Sequence, residues 1–129
     1  MANLNELAEV GSAKFIHPTS TGRRTGKPHT VELWFAVNDG KVYLSHEGEE
    51  TDWMRNIKKN ACVLFEISGR NFTGRARYLN DLEDEAWTAK VALYEKYYGK
   101  ASKEVIEDWF SLSKLLLIDA VSGLAPENG

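Results

Sequence analysis

A short basic segment near the N-terminus carries the residue types best suited to chemistry. Between Thr19 and His29 the chain reads TSTGRRTGKPH, in which two glycines bracket two arginines and a threonine, and a lysine follows. Glycine can adopt the positive φ values that let backbone N–H groups converge on one anion. Arginine offers a planar fork for phosphate or carboxylate, and threonine adds neutral donors. The segment therefore predicts an anion-binding loop, with a solvated loop between two strands as the alternative.

Composition restricts the classes of protein that could carry such a loop. With 129 residues, 43% hydrophobic and 27% charged, the chain has the make-up of one globular domain spanning residues 1–129. The net charge of −3 argues against a nucleic-acid partner. The single cysteine excludes an internal disulfide and suits a reducing compartment, and the longest apolar run, Leu115 to Ile118, is too short to span a membrane. We therefore expect a cytoplasmic protein with no membrane span.

Alternating apolar residues predict a first hairpin directly after the basic segment. Residues 31–37 alternate as a strand, Asn38-Asp39-Gly40 is a turn signal, and residues 41–45 form the partner strand. Trp34 lies on the face opposite the apolar one. An aromatic side chain there indicates a ring-binding cleft or a dimer contact, or simple packing under a helix.

A second hairpin is predicted in the middle of the chain. Residues 61–67, which include Cys62, are almost continuously apolar and read as a buried strand. Ser68-Gly69 is a turn signal, and residues 70–78 alternate as the partner strand.

Helix signals place the remaining elements around these hairpins. Thr51 is a candidate cap for a short helix that ends at Lys58 and Lys59, while Gly99 and Ser102 divide a later helical pair. The predicted elements are a short N-terminal helix at 3–10 that opens with an Asn3 cap, the helical pair at about 81–112, a last strand at 113–121 and a flexible tail at 122–129. An extended segment at Lys14 to Pro18, leading into the basic segment, brings the number of predicted strands to six. Consecutive hairpins of this kind favour a mainly β fold with helices (α+β), in the form of a mostly antiparallel barrel.

Several of these residues together resemble a known family. The string TGRRTGKP at residues 21–28, the hairpin after it, Trp53, Asn56 and the apolar strand at 61–67 resemble the deazaflavin-dependent nitroreductase family. That family belongs to the flavin-reductase-like split β-barrels, which include relatives of pyridoxamine phosphate oxidase. The resemblance extends from about Thr19 to about Asp119.

The resemblance implies a fold, a cofactor and a site. The fold would be a six-stranded antiparallel split β-barrel of the FMN-binding type, assembled as a homodimer. The cofactor would be the deazaflavin coenzyme F420, or FMN as in many barrel relatives, with its anionic tail at the basic loop. The implied cofactor-binding residues, with Trp34 added for its exposed ring, are Arg23, Arg24, Thr25, Lys27, His29 and Trp34. No residue is assigned a catalytic role, and the three histidines lack the spacing of metal ligands.

One segment departs from the family pattern. Family members often carry a Lys-Gly-Gly-type sequence after the second strand of the first hairpin, whereas residues 45–52 read SHEGEETD. Four carboxylates near an anionic cofactor would repel it if poorly screened. The alternatives are that these acids face solvent or the cations of another subunit.

The function that follows is a hydride transfer carried out by the cofactor. A protein of this kind positions the cofactor and a small-molecule acceptor and excludes water, which is consistent with the lack of a catalytic triad or acid–base pair in the sequence. Two alternatives remain at this point. The barrel could bind a flavin or another small anion without turnover, as a carrier or sensor, or it could bind single-stranded nucleic acid through its basic loop and aromatics.

Overall fold

The computed structural model describes residues 4–48 and 51–123. Within these residues the chain forms, in order, α1 (Leu4–Glu9), β1 (His17–Thr21), β2 (Pro28–Thr30), β3 (Phe35–Asn38), β4 (Lys41–Glu47), α2 (Asp52–Lys59), β5 (Cys62–Ile67), β6 (Arg70–Tyr78), α3 (Asp84–Tyr98), α4 (Lys103–Trp109) and β7 (Ser113–Gly123). The predicted cap Asn3 and tail residues 124–129 lie outside the described residues. The predicted flexible tail begins too early, because Ser122 and Gly123 belong to β7. Thr51 precedes α2 as expected, but its side chain makes no capping hydrogen bond.

One antiparallel sheet organises the described part of the chain. Its strand order is β2-β1-β5-β6-β7-β4-β3, and every neighbouring pair is antiparallel. The fold is the expected α+β split barrel, but the count of six strands is wrong. The described residues contain seven strands, and an isolated bridge between Ile16 and Leu33 marks an eighth extended segment.

The count exceeds six because the chain already pairs with β1 at residues 28–30, before the predicted strand at 31–37, and because that predicted strand is itself divided. Its first part continues the pairing of β2 with β1 as far as Leu33, where the bridge to Ile16 ends it. From Phe35 the chain pairs with Leu44 of β4 instead. The segment therefore runs from β2 at one edge of the sheet to β3 at the other edge. The sheet curls into a barrel as a result, but no continuous ladder of hydrogen bonds joins its two edges.

Both predicted hairpin turns are confirmed. Asp39 and Gly40 have φ of 52° and 75°, and Ser68 and Gly69 have φ of 50° and 81°. Two consecutive positive φ values define the turn whose twist matches that of antiparallel strands. The two hairpins thus follow directly from their turn residues.

Two hydrophobic cores lie on the two faces of the sheet. Inside the barrel, α1 and α2 contribute Leu7, Trp53 and Met54 to a core with the inward residues of the strands. On the outer face, α3 and α4 cover Tyr43, Leu115 and Leu117. The run at residues 115–118 is apolar throughout because β7 packs against a core on each side.

The prediction that β5 is wholly buried is wrong. Val63, Phe65 and Ile67 face the inner core, whereas Cys62 is exposed and the side chain of Leu64 is 51% exposed. The second face of this strand carries apolar residues although no described helix covers it. Apolar content alone therefore misled the assignment, because it does not distinguish a covered face from a bare one.

Candidate anion-binding site

The basic loop, residues 22–27, is a tight turn between β1 and β2. The Gly22 N–H donates to the Lys27 carbonyl over 2.7 Å, and the Gly26 N–H donates to the Gly22 carbonyl over 2.9 Å. Gly26 has a φ of 73°, and a Cβ at Gly22 would lie 3.0 Å from the Lys27 oxygen. The Thr25 hydroxyl accepts from the Lys27 N–H over 3.3 Å. The glycines thus allow the backbone to close on itself and leave the long cationic side chains outside the turn.

A buried asparagine fixes this loop to α2. Asn56 is 3% exposed, and its Oδ1 accepts from the Arg23 backbone N–H at 3.1 Å and from Arg23 Nη1 at 3.0 Å. Its Nδ2 donates to the buried Ser20 hydroxyl over 3.3 Å. Trp53, three residues earlier on the helix, is buried in the inner core and anchors it. The family resemblance includes Trp53 and Asn56, but the predicted site residues do not include Asn56.

An acidic side chain at the start of α2 also contacts the loop. Asp52 Oδ1 lies 3.3 Å from Arg23 Nη2 and 3.4 Å from Arg55 Nη1. The hydrogen bond and the charge of Arg23, with a smaller contribution from Arg55, lower the pKa of the Asp52 carboxyl. Of the acids expected to repel an anion, Asp52 is therefore partly neutralised within the chain, while Glu49 and Glu50 lie outside the described residues.

The loop and α2 together border an open cleft of about 400 Å³. Its lining comprises Gly22, Arg23, Arg24, Lys27, Pro28, His29, Asp52 and Asn56. Arg24, Lys27 and His29 are exposed, and within residues 4–48 and 51–123 their side chains form no ion pair or hydrogen bond. Arg23, by contrast, is already bonded to Asn56 and Asp52. The cleft thus presents two cations and one imidazole that are available to a ligand.

The structure brings together four of the six predicted site residues. Arg23, Arg24, Lys27 and His29 line the cleft, whereas Thr25 directs its hydroxyl into the loop. Trp34 does not line this cleft. Its ring stacks on Tyr97 of α3, with centroids 4.1 Å apart and planes inclined by 13°. That contact corresponds to the alternative in which Trp34 packs under a helix.

Other site types have less support in the described part of the chain. No group of three His, Cys, Asp or Glu residues there could hold a metal ion. His17, for example, places Nδ1 2.9 Å from Glu66 Oε1 in an ordinary surface contact. No helix among those residues is long and apolar enough to cross a membrane.

Solved structures share this fold at low sequence identity. A proposed 5-nitroimidazole antibiotic resistance protein from Bacteroides thetaiotaomicron has a TM-score of 0.71 and 16% identity over 95% of this chain and 84% of its own. A protein described as an F420 reductase has a TM-score of 0.57 and 18% identity over 88% and 94%. A proposed pyridoxamine 5'-phosphate oxidase from Listeria innocua has a TM-score of 0.58 and 16% identity over 93% and 95%. These likenesses establish the split-barrel fold.

The sequence itself matches a family model over most of its length. The model describes the F420H(2)-dependent quinone reductase family, and the match covers residues 9–106. This range includes the basic loop, Asn56 and the first of the two late helices. The chain belongs to the F420H(2)-dependent quinone reductase family.

Proposed function

We propose that the protein transfers a hydride from reduced coenzyme F420 to a small quinone-type acceptor, and that the basic loop holds the anionic tail of the cofactor. Its family makes the protein a deazaflavin-dependent oxidoreductase with F420 as the cofactor. The acceptor and the residues that bind the cofactor are the parts we propose. The observation that supports them is the cleft in which Arg24 and Lys27 are exposed and without a protein partner in the described chain.

The residues at the cleft fit the chemistry of such a tail. A deazaflavin tail presents a phosphodiester and carboxylates, which require several cationic donors. Arg24 and Lys27 would supply charge-assisted hydrogen bonds, and the neighbouring His29 would add a ring nitrogen. Arg23 would serve chiefly to hold the loop in place, because Asn56 and Asp52 already occupy its guanidinium.

The protein's part in the reaction is to bind, orient and exclude water. When bound, reduced F420 supplies the hydride from its deazaflavin ring, so the chain needs no nucleophile of its own. A rigid loop suits this task, because holding the tail at several points restricts where the ring can lie. A cytoplasmic location belongs to the same proposal, since a single free cysteine suits a reducing compartment.

Titration with oxidised F420 tests the cofactor site directly. Arg24→Ala and Lys27→Ala should each weaken binding by roughly 1–3 kcal/mol, the usual loss for a charge-assisted hydrogen bond. Lys100→Ala is the matched control, because it removes one exposed positive charge after α3 and away from the cleft lining. Unchanged affinity in both loop variants, or tighter binding of FMN than of F420, would contradict the proposal.

Turnover distinguishes an enzyme from a carrier. Reduced F420 should be oxidised by catalytic amounts of protein when menadione is the acceptor, and the Arg24→Ala/Lys27→Ala double variant should require more cofactor for the same rate. Binding of F420 without oxidation by any of a panel of quinone, nitro and enone acceptors would instead support a carrier or sensor.

We also propose that two copies assemble through the outer face of β5. Leu64 and Cys62 are exposed on that face, and a cavity of about 210 Å³ extends from it to Gly26 of the basic loop and to the neighbouring Pro28. A second copy there would cover apolar surface and border the cofactor cleft. Sedimentation should give the mass of two chains at micromolar concentration, and Leu64→Glu should give one. A single-chain mass for the unaltered protein would contradict the assembly.

A further inference from the structure

A second pocket lies at the opposite end of β1 from the basic loop. The loop follows Thr21 at the C-terminal end of this strand, whereas Ser12 and Lys14 precede its first residue, His17. Ser12, Lys14, Lys96 and Tyr97 line a pocket of about 320 Å³ there. The two lining sets share no residue, so the second pocket is separate from the cleft assigned to the cofactor tail.

Lys96 in this pocket differs in its partner from two other lysines that are bonded within the fold. Its Nζ donates to the Phe35 carbonyl over 2.8 Å and lies 3.5 Å from the centroid of the Phe35 ring. Lys41 and Lys90, in contrast, each have a carboxylate oxygen 2.9 Å away. Among the described residues no carboxylate pairs with Lys96, and its burial lowers its pKa to about 8. The pocket therefore holds a half-buried cation that has no carboxylate partner in the described part of the chain.

One wall of the pocket is the aromatic side chain of Tyr97, which is held by hydrogen bonds and by stacking. The Tyr97 hydroxyl accepts from the Phe35 N–H over 3.0 Å and donates to the Lys14 carbonyl over 2.8 Å. The Tyr97 ring is backed by Trp34, whose plane is nearly parallel to it. Lys14 is exposed at the mouth, with its Nζ 5.4 Å from the centroid of the Phe15 ring, and it brings a second positive charge. No acidic residue of the described chain lines the pocket.

We propose that this pocket is a second ligand site, which binds a small aromatic carboxylate. The carboxylate would neutralise Lys96 and draw on Lys14, while its ring would lie against the Tyr97 side chain. The Ser12 hydroxyl is a neutral donor at the same opening. Because the site lies outside the cleft of the basic loop, it does not rest on the proposed function of that loop.

Calorimetric titration of the protein without cofactor tests the site, with 1-naphthoate as the probe. We expect saturable binding of 1-naphthoate, at least tenfold weaker binding of the neutral 1-naphthamide, and at least tenfold weaker binding of 1-naphthoate to Lys96→Met. Lys100→Met is the control for removal of a lysine, and Arg24→Ala should bind the probe as the unaltered protein does. Equal affinity for the acid and the amide, or an unchanged affinity in Lys96→Met, would overturn the proposal. Loss of 1-naphthoate binding in Arg24→Ala would also overturn it, because the probe would then bind at the basic loop.

A measurement on the unaltered protein keeps the test valid if Lys96→Met does not fold. The Lys96 ammonium can be titrated by NMR with and without saturating 1-naphthoate. A bound carboxylate should raise the pKa of Lys96, because an opposite charge favours the protonated form. An unchanged Lys96 titration in the presence of the bound probe would overturn the proposal.

Discussion

Asn56 joins helix α2 to the basic loop through both ends of its side-chain amide. Its oxygen accepts two hydrogen bonds from Arg23, and its nitrogen donates one to Ser20; Asn56 and Ser20 are both buried. These hydrogen bonds position the loop relative to α2. Loss of the Asn56 side chain would leave buried polar groups without partners.

Asn56→Ala should therefore affect stability and cofactor binding together. We expect a loss of roughly 1–3 kcal/mol in the free energy of unfolding, measured with urea, because the Arg23 N–H and the Ser20 hydroxyl lose their partner. Affinity for F420 should fall as well, since the loop is no longer held. Asn71→Ala, an exposed asparagine of β6, is the control and should leave both quantities nearly unchanged. A destabilised variant with full affinity would show that the loop holds its shape without Asn56.

The residue types of the loop were sufficient to predict a cluster of cations but not how each cation is used. Composition treats Arg23 and Arg24 as equivalent, yet the fold bonds the first to Asn56 and Asp52 and leaves the second exposed. The difference depends on α2, which lies about thirty residues later in the chain. Trp34 is a similar case, because its stacking partner Tyr97 comes from α3.

At the scale of elements, the turns and the ends of the helices named below were predicted from local sequence, whereas the long-range pairing of the strands was not. The turns at Asp39-Gly40 and Ser68-Gly69 need only their own backbone preferences, and Gly99 ends α3 with a φ of 84°. Ser102 caps α4 by accepting from the Val105 N–H over 3.3 Å. The division of the strand before Phe35 could not be predicted, because it depends on where β1 and β4 lie relative to each other.

The contact between β6 and β7 depends on a glycine. An added Cβ at Gly74 would lie 2.5 Å from Ile118 Cγ2 and 3.0 Å from the Asp119 carbonyl oxygen, beside an irregularity in the register. Gly74→Ala should therefore lower the free energy of unfolding by roughly 1–3 kcal/mol, the usual cost of overpacking. Urea unfolding measures the change. Thr73→Ala on the neighbouring position should cost less, and equal effects of the two substitutions would argue against a steric cause.

At the scale of the whole molecule, the sheet separates an inner core from an outer core, and Lys96 lies near the edge between them. Its Nζ contacts the ring of Phe35, which belongs to the inner core, while Tyr97 beside it lies on α3 over the outer face. Because burial lowers the pKa of Lys96 to about 8, below its usual 10.5, protonated Lys96 opposes folding.

The pH dependence of stability follows from that shift. Between pH 8 and pH 10.5 the unfolded chain binds more protons at this residue than the folded one, so the contribution of Lys96 to stability rises with pH over this range and is constant below it. The free energy of unfolding of the unaltered protein should thus increase relative to that of Lys96→Met as pH rises from 8 to 10. Lys100→Met is the matched control for the removal of an exposed lysine. A constant difference for Lys96→Met would mean that Lys96 titrates like a solvated lysine.

The position of β7 in the sheet determines when the protein can fold during its synthesis. This strand is the last in the described chain, yet it lies between β6 and β4 and pairs with both. Until β7 has left the ribosome, the hairpin of β3 and β4 has no hydrogen-bonded link to β6. The pairing of β4 with β7 joins residues that are about 70 positions apart in the sequence. We therefore expect any sheet fragments formed before that point to have unpaired edges, to which strands of other chains can add.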